Sequence, residues 1–141
     1  MFLLYNKLMN NYTEILRAHN LKATPQRLEI ADALYTHGHV NIENLYAIML
    51  QKFNSISLAT IYKNINIMLE NAFIQEVKIP HEKSVYELTK ELHSHAVCSE
   101  CGYIEDLTLD LSKVKENAAT QTHFKIQTAD LVFSGICKNC Q

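Results

Sequence analysis

The sequence predicts an α+β protein built from two modules, and three observations lead to that class. Apolar residues recur at helical spacings of three and four through the first 70 residues. The spacing then changes to two, which is typical of strands. All four cysteines of the 141-residue chain lie after residue 97, in two Cys-x-x-Cys pairs. We therefore predict a helical module ending in a hairpin over residues 1–89, and a smaller α/β module with the cysteines over residues 90–141.

The composition is that of an ordinary globular chain, with 48% hydrophobic and 20% charged residues. The net charge of −2 lacks the basic excess typical of nucleic-acid binders. Residues 1–80 carry seven basic and six acidic side chains, whereas residues 81–141 carry six and nine. A chain with this charge can still bind DNA if its positive groups share one face, so the total does not exclude that class.

The N-terminal apolar run breaks at Asn6, which makes it too short for a secretory signal. No stretch approaches the ~18 apolar residues of a membrane span. We therefore expect a protein of the cytoplasm that has no membrane partner. In that reducing compartment, cysteines serve more readily as metal ligands than as disulfides.

Four helices are predicted in the first module, and the first of them covers residues 6–19. The second begins after the capping hydroxyl of Thr24, with Pro25 at its first position, and ends before Gly38. The first helix carries apolar residues at helical spacing: Leu8, Tyr12, Ile15 and Leu16. The second carries a predicted buried stripe: Leu28, Ala31, Leu34 and Tyr35.

The third helix begins after Asn41, and the fourth runs from Leu58 to Glu70 after the capping side chain of Ser57. Their predicted apolar faces consist of Ile42, Leu45, Ile48, Met49, Leu58, Ile61, Ile65, Met68 and Leu69. A hairpin follows, with strands within residues 73–79 and 85–88.

Helix, short break, helix and hairpin is the order of a winged helix-turn-helix, whose second helix enters the major groove of DNA. The exposed face of the fourth helix is predicted to carry groups that can reach bases or phosphates: Ser57, Thr60, Tyr62, Lys63 and Asn64. Residues near the start of the second helix could hold the DNA backbone: Lys22, Thr24, Gln26 and Arg27. A solvated face without a DNA role stays open, because polar helix faces are common.

The pairs Cys98/Cys101 and Cys137/Cys140 have the spacing of two zinc knuckles. Two thiolates from each knuckle complete the closed tetrahedral shell of structural Zn²⁺. A redox pair or an iron–sulfur cluster is the alternative, although a redox pair needs no second pair. Between the knuckles we predict a strand at 103–107, a helix at 111–120 and a strand at 124–133.

His93 and His95 directly precede the first knuckle. Residues two apart on a strand face the same side, so both imidazoles can bind one ion. Further imidazoles and carboxylates could complete the ligand set: His37, His39, Glu87, Glu105 and Asp106. A mixed nitrogen and oxygen set suits Fe(II), Mn(II) or Zn(II). The alternative is that each histidine is an ordinary polar side chain.

Three stretches then stand in order: LKATPQR at 21–27, SLATIYKN at 57–64 and HSHAVCSECG at 93–102. Together they resemble the ferric uptake regulator family of bacterial metal-dependent repressors, and the resemblance extends from about Tyr12 to Cys140. It implies a homodimer that binds double-stranded operator DNA through the winged helix of residues 1–89. The second module would dimerise and hold structural zinc at Cys98, Cys101, Cys137 and Cys140.

The resemblance also implies a regulatory site for Fe(II) or Mn(II) between the modules. Its ligands would be the residues at five matching positions: His39, Glu87, His93, His95 and Asp106. His39 is favoured over His37 because it precedes the third helix as the family ligand does.

Asp106 resembles the family's peroxide-responsive repressors, since its iron-uptake repressors tend to carry Glu there. In such sensors, bound Fe(II) reacts with peroxide and a ligating histidine is oxidised, here His39 or His93, which releases the DNA. Glu87 departs from the peroxide pattern, so iron-uptake or zinc-uptake repression is the alternative. A further site of iron sensors looks absent, because its positions hold Leu92, Ser94, Lys113 and Ala129. Lys63 stands where the family often has Arg. A lysine can contact a phosphate or a guanine, but it cannot make the two parallel hydrogen bonds of an arginine guanidinium.

Two other classes of protein fit parts of this sequence. A metal-dependent hydrolase would use an ion at His93 and His95 to activate water. Five candidate ligands would crowd that ion and no separate general base is evident, so we expect no enzymatic activity. A zinc-stabilised interaction module without a DNA role would show no sequence preference among random oligonucleotides.

Overall fold

The computed structural model describes residues 11–141, which form two compact units divided between Lys90 and Glu91. The described part of the first helix, α1, covers residues 11–18; Leu8 lies outside the described residues. Of its apolar residues at helical spacing, Tyr12 and Leu16 are buried, whereas Ile15 is exposed.

Three capped helices follow: α2 (Pro25–His37), α3 (Ile42–Lys52) and α4 (Leu58–Glu70). The side chains of Thr24, Asn41 and Ser57 each accept a hydrogen bond from the backbone N–H three residues ahead, as the capping pattern predicts. Two positions assigned to the apolar stripes are exposed instead, namely Tyr35 and Leu58.

A three-stranded antiparallel sheet completes the first unit, with the order β1 (Val40–Asn41), β3 (Val85–Leu88), β2 (Ile74–Val77). The hairpin of β2 and β3 confirms the predicted change of period. The two-residue β1 was not predicted, because so short a strand has no alternation of its own. One apolar core lies beneath the helices, and its most buried members are Leu16, Ile30, Leu34, Leu45, Met49, Ile61, Ile65, Met68 and Ile74.

The second unit contains β4 (Ser94–Cys98), β5 (Ile104–Leu107), α5 (Ser112–Thr122) and β6 (Val132–Gly135). Its sheet has the order β5-β4-β6, in which β4 pairs antiparallel with β5 and parallel with β6. The predicted strand at 124–133 is wrong in extent, since pairing begins only at Val132. Within residues 11–141, no helix is long and apolar enough to cross a membrane.

Candidate metal centres and nucleic-acid face

The four cysteines of the second unit converge on one point, which we call the thiolate centre. The sulfur atoms of Cys98, Cys101, Cys137 and Cys140 all lie within 4.8 Å of one another. The Sγ atoms of Cys101 and Cys137 are 3.8 Å apart. Two sulfurs of a tetrahedral site with Zn–S bonds of about 2.3 Å are separated by about 3.8 Å. The thiolate centre therefore has the spacing of a four-cysteine zinc site.

Strand pairing and a tight turn build this centre. Cys98 ends β4, and the N–H of Gly102 donates to its carbonyl at 2.9 Å. Gly102 has a φ of +76°, a conformation that residues with a Cβ atom rarely adopt. The parallel pairing of β4 with β6 places Cys98 opposite Gly135, only two residues before Cys137. The central strand thus brings the two knuckles together across 35 intervening residues.

The electrostatics of the thiolate centre favour a bound cation. The backbone N–H of Cys137 donates to Sγ of Cys98 at 3.3 Å and lowers the pKa of that thiol to about 6. The neighbouring thiol of Cys137 raises the pKa of Cys140 to about 12. Four thiols at this spacing do not all ionise at neutral pH unless a cation lies among them. A divalent metal that prefers thiolates provides that charge.

In the first unit, His39 and Glu87 form what we call the first histidine group. The Nε2 atom of His39 lies 2.8 Å from Oε2 of Glu87, whose side chain is 1% exposed. Gln75 donates from Nε2 to the other oxygen, Oε1, at 2.6 Å. The ammonium of Lys90 lies 3.9 Å from Oε2. A buried carboxylate beside an imidazole is a donor pair that transition metals use.

In the second unit, His93, His95 and Asp106 form the second histidine group. His95 and Asp106 are register partners of β4 and β5, and their Nε2 and Oδ1 atoms are 3.4 Å apart. Nε2 of His93 lies 3.6 Å from the same oxygen, Oδ1 of Asp106. The centroids of the two imidazole rings are 4.5 Å apart. Nδ1 of His93 donates to the carbonyl of Glu91 at 2.8 Å, so Nε2 is the nitrogen that could bind a metal.

Other candidate ligands are placed differently. His37 is exposed in the last turn of α2, whereas His39 contacts Glu87. Glu105 is exposed and pairs in register with Ala96, so its neighbour Asp106 is the residue opposite His95. The geometry within each unit therefore separates His39 from His37 and Asp106 from Glu105, which spacing alone did not do.

The exposed surface of α4 forms the candidate nucleic-acid face. Tyr62 and Lys63 are exposed there, as predicted. Ser57 and Thr60 are joined through their hydroxyls at 2.9 Å, and Ser57 also caps the helix. Thr24 caps α2 in the same way, since its hydroxyl accepts a hydrogen bond from the backbone N–H of Arg27. Any contact of this hydroxyl with a DNA phosphate would be in addition to that capping bond.

Asn64 requires a correction, since it was predicted on the exposed face and is only 8% exposed. Arg27 donates from Nε to Oδ1 of Asn64 at 3.1 Å and from Nη1 to the carbonyl of Lys22 at 3.1 Å. The amide of Asn64 donates to the carbonyl of Thr60 at 3.1 Å and to Oε1 of Gln26 at 3.4 Å. The side chain of Asn64 on α4 is therefore hydrogen-bonded to the side chains of both Gln26 and Arg27 on α2.

Sequence reasoning did not identify Gln75 and Lys90, the two further residues beside Glu87. Gln75 did leave a signal, because it is the polar member of the alternating set Phe73, Gln75, Val77 and Ile79. A polar side chain within an inward-facing alternation indicates a buried polar partner. Lys90 left no signal, since a lysine after a strand is ordinary.

A winged helix, a thiolate centre and two histidine–carboxylate groups in one chain define the class of metal-dependent transcriptional regulators. A sequence model of the ferric uptake regulator family matches residues 18–134. The chain belongs to that family. Members of the family are transcriptional regulators and not enzymes, which excludes the alternative of a metal-dependent hydrolase.

Relatives with different sensing roles match this chain about equally well. It is 30% identical over 129 residues to the peroxide operon regulator of Bacillus subtilis strain 168, covering 90% of this chain and 89% of that protein. It is 32% identical over 132 residues to the ferric uptake regulation protein of the same strain, covering 89% of each. The solved structure of the Campylobacter jejuni peroxide stress regulator matches with a TM-score of 0.69 and 36% identity, over 90% of this chain and 97% of that one.

Proposed function

We propose that this protein is a peroxide-responsive transcriptional repressor whose metal-loaded homodimer binds an operator. The observation that carries this proposal is the second histidine group, in which Asp106 approaches both His93 and His95. The resemblance to the peroxide-responsive branch depends on the Asp at position 106. Glu87, which departs from that branch, favours iron-uptake repression as the second candidate.

The chemistry of the donors supports two kinds of metal. Four thiolates at tetrahedral spacing suit Zn²⁺, which would hold the two knuckles together and leave no open position. Imidazoles with carboxylates suit Fe(II) or Mn(II). We assign the regulatory ion to ligands from both histidine groups: His39, Glu87, His93, His95 and Asp106. Bound Fe(II) supplies the peroxide chemistry that oxidises a ligating imidazole, for which His39 and His93 are the candidates.

The second unit carries the apolar surface that a homodimer requires. Helix α5 has no buried residue within the single chain. Large apolar side chains of this unit are exposed: Tyr103, Leu109, Val114, Phe124, Phe133 and Ile136. Exposed apolar residues on this scale mark an interaction surface, and a second copy of the chain is the partner that the family implies.

The first unit is the proposed DNA-binding domain. Tyr62 and Lys63 would meet the major groove from the exposed face of α4, and Lys22 would contact the DNA backbone. A dimer with two such helices reads two symmetric half-sites, so the operator should be a near-palindrome.

The switch is tested by an electrophoretic mobility shift assay on an operator fragment, with Mn(II), with Fe(II) without oxygen, and after chelation of the regulatory ion. We expect tight binding only in the metal-loaded samples. His95→Ala is the loss-of-ligand variant and His123→Ala, an exposed histidine outside both groups, is its control. Equal binding with and without metal would contradict the switch.

The peroxide branch is tested by treating the Fe(II)-loaded protein with peroxide and weighing its peptides. Added oxygen is expected on a peptide containing His39 or His93, and not in the Mn(II)-loaded control. Absence of that oxygen in protein that still requires metal for DNA binding would favour the iron-uptake candidate.

A further inference from the structure

We infer that Gln75 is a positioning residue for the regulatory metal, one that holds Glu87 so that a single oxygen of its carboxylate is offered to the ion. This inference rests on the proposed function, because it takes Glu87 as a ligand. It adds a residue that neither the predicted ligand set nor the resemblance includes.

The two oxygens of Glu87 have different partners. Oε1 accepts the hydrogen bond from Nε2 of Gln75 at 2.6 Å, and Oε2 lies 2.8 Å from Nε2 of His39. Gln75 and Glu87 are register partners on β2 and β3, so the backbone ladder sets the position of the donor. Strand β3 is the central strand of its sheet, with β1 on its other side. Gln75 therefore fixes the rotation of the carboxylate and directs Oε2 toward His39.

The chemical type of Gln75 also matters. An amide donates a hydrogen bond without adding a positive charge, so Gln75 itself leaves the negative charge of Glu87 available to a divalent cation, beside the ammonium of Lys90 that lies 3.9 Å from Oε2. A lysine or arginine at the same position would pair with that charge and compete with the metal. Burial strengthens the effect, because Glu87 is 1% exposed and water cannot take over the role of the amide.

When a residue that holds a metal ligand by such a hydrogen bond is removed, the affinity of the site for its metal falls by about 10–100-fold. The test compares wild type with Gln75→Leu, which keeps the side-chain size and removes the amide. Gln51→Leu is the matched control, since Gln51 is an exposed residue of α3. Protein with zinc in the thiolate centre is titrated with Mn(II), and free Mn(II) is followed by electron paramagnetic resonance.

The same proteins are loaded with Co(II) to record ligand-field absorption, whose intensity falls as coordination number rises. We expect about 10–100-fold weaker Mn(II) binding in Gln75→Leu, an altered Co(II) spectrum, and wild-type behaviour with unchanged zinc content in Gln51→Leu. If Gln75→Leu does not fold, Gln75→Asn replaces it, since the shorter amide cannot reach Oε1.

The outcomes separate the two claims. A wild-type protein that binds no ion beyond its zinc would overturn the proposed function, and this inference with it. Wild-type metal binding with the same affinity and spectrum in Gln75→Leu would overturn the role of Gln75 alone. Weaker binding with an unchanged Co(II) spectrum would also overturn it, because a merely structural contribution gives that result.

Discussion

Arg27 donates its Nε hydrogen to Oδ1 of Asn64 across 3.1 Å, which ties the first turn of α2 to the middle of α4. The amide of Asn64 is itself committed to the carbonyl of Thr60 and the side chain of Gln26. A side chain whose donor and acceptor are both engaged within the protein is poorly placed to read a base. Asn64 is therefore expected to set the position of the recognition helix.

The first prediction concerns stability. Asn64→Ala removes the acceptor of Arg27 Nε and should lower the free energy of unfolding by about 1–3 kcal/mol, measured by urea denaturation. Lys63→Ala, at the neighbouring exposed position, should change it by no more than about 0.5 kcal/mol. An Asn64→Ala protein of normal stability that has lost its preference for one operator base would instead restore the base-reading role.

The second prediction concerns how Lys63 contacts DNA. A lysine on a phosphate contributes one released counterion, and the dimer carries two copies of Lys63. Lys63→Ala should therefore weaken operator binding about equally across sequence variants and reduce the salt slope by about 2. Binding is measured by fluorescence anisotropy at several salt concentrations. Lys113→Ala, which removes the same charge from exposed α5, should leave the slope unchanged. A loss confined to operators that keep one guanine would show that Lys63 reads a base.

Local sequence features predicted the helix starts because the physics of capping is local. Thr24, Asn41 and Ser57 each satisfy a first-turn N–H three residues ahead, and the structure has all three bonds. Periodicity was less reliable at the edges of a stripe. Leu58 stands at the first position of α4, where no preceding turn covers it, and it is exposed. The identity of each helix was thus predictable, whereas the burial of its boundary residues depends on what packs there.

The candidate sites divide along the same line. Cys-x-x-Cys spacing predicted which residues form the thiolate centre, because the two cysteines of one knuckle are local neighbours. Among the acidic residues of β5, the resemblance favoured Asp106. The physical reason is the register of β4 with β5, which places Asp106 opposite His95, a long-range relationship that no local pattern contains. Asn64 was misplaced for the same reason, since its burial follows from Arg27, which is 37 residues away in sequence.

The third prediction is that the metal of the thiolate centre stabilises the second unit specifically. That unit has few buried apolar side chains and α5 has none, so we expect a four-thiolate ion to contribute much of its stability. Removing the metal with a chelator, or substituting Cys137→Ser, should speed hydrogen–deuterium exchange through β4, β6 and α5. Peptides from α2 and α4 should keep their protection, because they belong to the other unit's core. Unchanged exchange in β4 after complete zinc removal would contradict this assignment.

The fourth prediction concerns Tyr12, whose buried hydroxyl has no hydrogen-bond partner among residues 11–141. Burial, with a smaller contribution from Asp32, raises the pKa of this phenol to about 12. The unfolded chain releases the proton near pH 10 and the folded chain keeps it, so stability falls as the pH rises between these values. Tyr12→Phe should gain about 1 kcal/mol at neutral pH by removing a buried hydroxyl that has no partner among residues 11–141. The stability difference between Tyr12→Phe and wild type should widen above pH 10, because the variant has no phenol whose deprotonation in the unfolded chain favours unfolding.

Urea denaturation from pH 7 to 11 measures both effects, with Tyr103→Phe as the exposed control. A parallel decline of wild type and Tyr12→Phe above pH 10 would show that another group causes the alkaline loss.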